Sequence, residues 1–184
     1  MSRLAEFEQR ALPCLDAAHN LAFWLVRSRP DAEDIVQDAY LRAFRAFDSC
    51  SGDVKPWLLA IVRNLAYRWL TTRKKAANVI SIEEALSSRA ASGEVFEVPS
   101  NEASAEELLI GQAERALVVT ALAELAPPFR EAIVLREMEG LSYQEIANVA
   151  GVPVGTVMSR LSRARAQLKT RLTELIDKED RHAV

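Results

Sequence analysis

Residues 141–168, LSYQEIANVAGVPVGTVMSRLSRARAQL, constrain this chain more than any other stretch. They read as a short helix, a glycine turn and a second helix studded with arginine. Gly140 is suited to end the preceding helix by taking positive φ. Ser142 and Glu145 have the S-x-x-E spacing of a capping box, in which each side chain satisfies a backbone N–H of the other. Ile146, Ala147 and Val149 give the short helix an apolar side. Gly151 permits the tight turn. The second helix is expected to start near Pro153, whose missing N–H is harmless in a first turn. From there Val157, Leu161, Ala164, Leu168, Leu172 and Leu175 recur at steps of three and four and predict one buried stripe. Thr156, Ser159, Arg160, Arg163 and Gln167 fall on a different face, suited to base edges and phosphates, with Arg165, Lys169 and Arg171 on its flanks. A solvated basic face would account for the arginines alone. The capping box, the turn glycine and the small Gly155-Thr156 start together favour a helix-turn-helix whose second helix enters a DNA major groove.

A formal net charge of −3 over 184 residues looks wrong for a DNA binder until it is mapped along the chain. Lys55, Arg63, Arg68, Arg73, Lys74 and Lys75 form one basic region and Arg160 to Arg171 another. Glu83, Glu84, Glu94, Glu97, Glu102, Glu106, Glu107 and Glu114 make the middle acidic. That asymmetry says more than the sum. Only 6 glycines and 7% aromatic residues, with few alternating β-branched runs, favour an all-α fold. Cys14 and Cys50 form no CxxC or Cys/His cluster, so no metal site is expected and both read as reduced thiols. Only two histidines, no Gly-rich phosphate loop and no clustered carboxylates argue against an enzyme and give no catalytic residue or cofactor to name. The start, MSRLAEFEQR, lacks the apolar stretch of a signal peptide.

The chain divides into two small helical domains joined by an acidic linker. Residues 1–76 carry three helical patterns. One holds Leu15, Leu21, Trp24 and Leu25 after Pro13. A second follows Pro30-Asp31, with Asp31 expected as N-cap and Val36, Tyr40, Ala43, Phe44 and Phe47 as its apolar side. A third runs from Trp57 to about Lys75, with Leu58, Ile61, Val62, Leu65 and Trp69 facing inward. Residues 48–56 read as a loop. Residues 77–113 form the linker, acidic and Ser/Ala-rich around Pro99, with short helices conceivable at its two ends. Residues 114–178 form the domain that ends in the helix-turn-helix.

Two features of the first domain invite a functional reading. Asp34, Gln37 and Asp38 stand at i, i+3 and i+4 and share one exposed face. Such a face can dock on a basic partner helix, although taken alone a solvated acidic face is the simpler reading. On the third helix Trp57, Asn64, Tyr67, Arg68 and Thr71 lie outside the core stripe. Aromatic, amide and basic groups so mixed suit single-stranded nucleic acid, whose bases stack on rings while cations follow the phosphates. Core aromatics beside a solvated basic helix end would produce the same pattern.

Taken together, these segments resemble an extracytoplasmic-function (ECF) sigma factor, a two-domain member of the bacterial sigma-70 family. DAEDIVQDAYLRAF (31–44) is similar to the family's segment that binds the clamp helices of core RNA polymerase. PWLLAIVRNLA (56–66) is similar to its helix that melts and reads the −10 element. Residues 141–168 are similar to its −35 reading helix-turn-helix. The resemblance implies that Asp34, Gln37 and Asp38 contact core polymerase. It implies that Ser49, Lys55, Trp57 and Asn64 lie near the −10 strand, and that Thr156, Ser159, Arg160, Arg163 and Arg165 serve the −35 element. It implies core RNA polymerase, promoter DNA and an anti-sigma protein as partners, no cofactor, and a cytoplasmic location. Many relatives carry Asp where Arg68 stands, and Lys or Arg where Met158 stands. The rival reading is a stand-alone helix-turn-helix regulator, which explains the C-terminal segment but neither the acidic face nor the basic, aromatic third helix.

Overall fold

The computed structural model describes residues 2–80 and 105–182, and all of its regular elements are helices. The acidic stretch 81–104, with most of the expected linker, lies outside the described residues. Four helices precede it: α1 (Arg3–Ala11), α2 (Leu15–Val26), α3 (Arg29–Arg45) and α4 (Val54–Ile80). Four follow: α5 (Ala105–Glu124), α6 (Pro127–Ile133), α7 (Tyr143–Ala150) and α8 (Val154–His182). Residues 77–80 complete α4 and residues 105–113 begin α5, so the boundaries expected at 76 and 114 fall inside helices.

Local chemistry explains most helix ends. Ser2 caps α1, its Oγ accepting the Ala5 N–H at 3.2 Å. α2 stops at Arg27, which sits in the left-handed region at φ 59° and donates its N–H to the Phe23 carbonyl at 2.7 Å. The N-cap of α3 is Ser28, with extended backbone, and not Asp31 as the sequence suggested. Pro30 has its φ fixed near the helical value, so the helix is already under way before Asp31. Asp31 instead accepts a hydrogen bond from the Trp69 indole at 3.2 Å and ties α3 to α4. The loop before α4 is shorter than expected. A single 3-10 turn, Phe47–Ser49, leads to Gly52 at φ 101°, and α4 begins at Val54. Arg10 donates to the Gly52 carbonyl at 2.9 Å and pins that loop to α1.

The apolar stripes meet in one continuous core. Leu21 and Leu25 of α2, Val36 of α3 and Leu59 and Val62 of α4 are all buried. The same cluster continues without a break into Ile133, Leu135, Ile146, Val149, Val157 and Leu161 of the C-terminal half. The two halves therefore pack on each other, α4 against α7 and α2 against α6. A smaller cluster gathers around Phe7, whose ring meets Tyr40, Phe44 and Phe47 edge-on. That geometry suits the quadrupoles of aromatic rings. On α8 the predicted stripe is fully buried at Val157, Leu161 and Ala164, and half-buried at Leu168, Leu172 and Leu175.

Candidate nucleic-acid interface

The helix-turn-helix is built as its sequence reads. Gly140 takes φ 70° and Gly151 φ 65°, the latter ending α7 with its N–H on the Ala147 carbonyl. Ser142 Oγ accepts the Glu145 N–H at 3.2 Å, and Glu145 Oε2 accepts the Ser142 N–H at 2.7 Å. Hydrogen bonding to Ser142, first to its side chain and then to its backbone N–H, holds the Glu145 carboxyl below its ordinary range. Pro153 precedes α8, and its carbonyl accepts the N–H groups of Thr156 and Val157. Between α6 and α7 the chain forms one π turn, Val134–Met138, in which the Glu139 N–H reaches back to the Val134 carbonyl.

Along α8, Ser159 and Arg163 are exposed, while Thr156 and Arg160 are half-buried. The Ser159 hydroxyl donates to the Thr156 carbonyl at 2.9 Å. Arg160 lies close enough to Tyr67 of α4 for its charge to act on the phenol. Arg165 donates to Glu137 at 2.7 Å, and this bond raises its pKa. Met158 is exposed on the same helix.

The N-terminal candidates are spread over three places. Asp34 and Gln37 are exposed on α3; Asp38 is half-buried and accepts the Arg42 guanidinium at 2.8 Å, one helical turn on. Ser49 is exposed in the 3-10 turn, its hydroxyl donating to the Ala46 carbonyl at 2.6 Å. Trp57 is half-buried against the Phe7 cluster. Asn64 is exposed and accepts Arg63 Nη1 at 3.3 Å, and Arg68 is exposed on α4 as well.

Three half-buried groups on the N-terminal half bond to the C-terminal half. Lys55 Nζ lies 3.0 Å from Glu139 Oε2 and donates to the Glu139 carbonyl at 2.9 Å. Arg63 is bonded to Glu131, whose second oxygen accepts the Tyr67 hydroxyl at 3.0 Å. Burial first, and then the Glu131 charge, push the Tyr67 pKa up. Tyr67 is thus a packed interface residue rather than an open stacking platform. Arg130 is 6% exposed and donates to the carbonyls of Leu122, Ala123 and Leu125, and across the halves to that of Trp24. The sequence reading passed over Arg130, Glu131 and Glu139. A signal was present: Arg130 and Glu131 are two charges inside the otherwise apolar run Phe129–Leu135, where charge needs a partner.

No described helix is long and apolar enough to cross a membrane. Comparison with known proteins places the motifs in context. Residues 13–76 match the family model of Sigma-70 region 2, and residues 115–168 that of Sigma-70 region 4. The chain is 33% identical over 182 residues to the ECF RNA polymerase sigma-E factor of Escherichia coli K12, covering 96% of this chain and 94% of that one. It is 32% identical over 160 residues to the ECF sigma factor SigE of Mycolicibacterium smegmatis, covering 86% of this chain and 58% of that one. Among solved structures, the sigma factor RpoE of Bartonella quintana, in complex with the anti-sigma factor NepR, is 28% identical with a TM-score of 0.70, covering 91% of this chain and 97% of that one. CnrH, in complex with the cytosolic domain of CnrY, shares the fold at TM-score 0.62 and 23% identity, over 93% of this chain and 90% of that one. With both matched regions in order along one helical chain, and a relative one-third identical over nearly its whole length, the chain belongs to the ECF sigma factors of the sigma-70 family.

Proposed function

We propose that this chain is an alternative sigma factor that binds core RNA polymerase and directs it to promoters. The observation that carries this reading is the capped helix-turn-helix of α7 and α8, present in one chain with the acidic face of α3 and the basic helix α4. A stand-alone regulator would need the first of these and neither of the others.

The work is positioning, with no bond made or broken by the chain itself. Asp34, Gln37 and Asp38 dock on core polymerase through charge and hydrogen bonds. Thr156, Ser159, Arg160 and Arg163 hold the −35 duplex, and Arg165 adds a phosphate contact once it exchanges Glu137 for DNA. Ser49, Lys55, Trp57 and Asn64 meet the unpaired −10 strand. Capture there offsets part of the unstacking cost, a few kcal/mol per extruded base. The first unit is residues 1–76, the second residues 114–178, and residues 77–113 connect them along the polymerase. An anti-sigma protein restrains the chain, as the solved RpoE–NepR complex supports for a relative. The site of action is the cytoplasm, where polymerase and promoter meet. Run-off transcription with core enzyme and a genomic promoter library tests this reading. Discrete transcripts that need both components are expected; binding to DNA with no affinity for core enzyme would favour the stand-alone regulator.

A further inference from the structure

The cations of α4 nearest the C-terminal half are already occupied. Arg63 and the Tyr67 hydroxyl converge on the two oxygens of Glu131, whose side chain is 1% exposed. Lys55 and the Asn20 amide converge on Glu139: Nζ is 3.0 Å from Oε2 and the amide donates to Oε1 at 3.1 Å. The Glu139 side chain is 5% exposed. Both acids belong to the C-terminal half and flank the π turn Val134–Met138; all four partners belong to the N-terminal half. An arginine with a hydroxyl, or an ammonium with an amide, around a two-oxygen anion is also how proteins hold phosphate. Arg160 adds a second positive charge near Tyr67 of the first site. The exposed members of the same helix, Asn64 and Arg68, have no acid from the other half bonded to them in the described residues.

We propose that Glu131 and Glu139 stand in for two backbone phosphates of single-stranded DNA, at a site made by Arg63 with Tyr67 and at another made by Lys55 with Asn20, so that the closed chain inhibits its own −10 helix. This rests on the sigma-factor reading for its biological meaning, though not for its chemistry. Removing two charges from water nearly cancels their attraction, so a buried ion pair is a poor fastener and a good selector. The shared apolar core supplies the adhesion between the halves. The carboxylates decide what may occupy the cationic sites. Opening the halves trades two internal carboxylates for two phosphates at equal charge, and the exchange leaves no buried cation unpartnered.

The test uses the full chain with Glu131→Gln and Glu139→Gln together. Glutamine keeps the shape and one acceptor oxygen, enough for the Tyr67 or the Asn20 donor, while the charge and the acceptor that faced the cation are removed. The probe is a fluorescent oligothymidylate about 16 nucleotides long, a sequence-neutral single strand. The double variant should bind it about tenfold more tightly than the natural chain at matched salt, the scale of one desolvated charge pair. Adding Lys55→Ala and Arg63→Ala should abolish that gain. Unchanged affinity in the double variant, or a gain that survives loss of both cations, would overturn the proposal. Should the double variant melt at working temperature, Glu139→Gln alone must show a smaller gain that Lys55→Ala removes, and no gain there overturns the proposal equally. A pull-down of core polymerase by the natural chain separates the two readings. Failure to bind core enzyme would count against the sigma-factor reading, while the oligothymidylate result would still decide on the masked sites.

Discussion

Arg130 offers the sharpest test of how the C-terminal half is held together. Its guanidinium donates at 3.0 Å to Leu122, 2.8 Å to Ala123 and 2.7 Å to Leu125, the last carbonyls of α5 and the turn beyond it. A fourth bond, 2.7 Å, reaches Trp24 near the end of α2. Helix ends leave such carbonyls without intrahelical donors, and here a buried cation also meets the negative end of two helix dipoles. Burial lowers its pKa to about 10, so it stays charged at neutral pH. A hydrogen bond from a charged donor is worth about 1.5–3 kcal/mol, which over four bonds overstates the loss. Replacement by methionine also relieves the cost of burying the charge, and water can reach part of the vacated space. Methionine leaves carbonyls without this donor but orphans no charge, so the expected loss for Arg130→Met is about 2–4 kcal/mol, the scale of one or two buried polar groups left unsatisfied. Against a total stability on the order of 5–15 kcal/mol this is large. Urea unfolding of the full chain, followed by far-UV circular dichroism, should show the midpoint falling at constant slope. Arg130→Lys should fall between, since three ammonium donors cannot serve four carbonyls. A loss below about 1 kcal/mol for Arg130→Met would refute the idea that this side chain organises the α5–α6 corner.

Ser142→Ala should cost about 0.5–2 kcal/mol in the same urea assay by removing the cap of α7. Because the Glu145 carboxyl is held below its ordinary value, its contribution is full above pH 4.5 and fades as pH falls through the lower folded value; the acid limb of stability in Glu145→Gln should be flatter there. Arg163→Ala should weaken −35-dependent transcription by about 1–3 kcal/mol if it reads a base, with relaxed preference at one position, and by a sequence-independent amount if it holds phosphate. Gly151→Ala should cost about 1 kcal/mol or more, measured by thermal melting, since alanine must adopt φ 65°. Asp34→Lys should reduce affinity for core polymerase in a competition assay while leaving the melting temperature unchanged, as the residue is exposed and off the core stripe.

What the sequence made legible was local. The Ser142–Glu145 box, Gly151 and the stripe Val157–Leu161–Ala164 depend on neighbours within four residues, so spacing alone reveals them. Asp31 misled because its type and position suit an N-cap equally well as a tie to Trp69, and only the distant indole decides between them. Arg63 read as part of an open basic helix; its partner Glu131 lies 68 residues along the chain. Periodicity marks which face of α4 is apolar, and it is silent on whether one neighbour or two cover that face. The shared core between the halves was invisible for that reason, and with it the occupied state of Lys55, Arg63 and Tyr67.

The joint between α4 and α7 is made within a single chain, and this governs how it responds to quantity. A complex of two molecules falls apart on dilution; this contact does not, so its population is the same at nanomolar as at millimolar protein. Occupancy by an outside partner rises with that partner's abundance. Among copies with no partner bound, the shut fraction is therefore the same however much chain is made. Closed copies yield only to more of whatever grips the open form, or to a tighter grip by it. A cell that made more of this protein would gain active copies only up to the free partner left to receive them, and the rest would join the closed reserve.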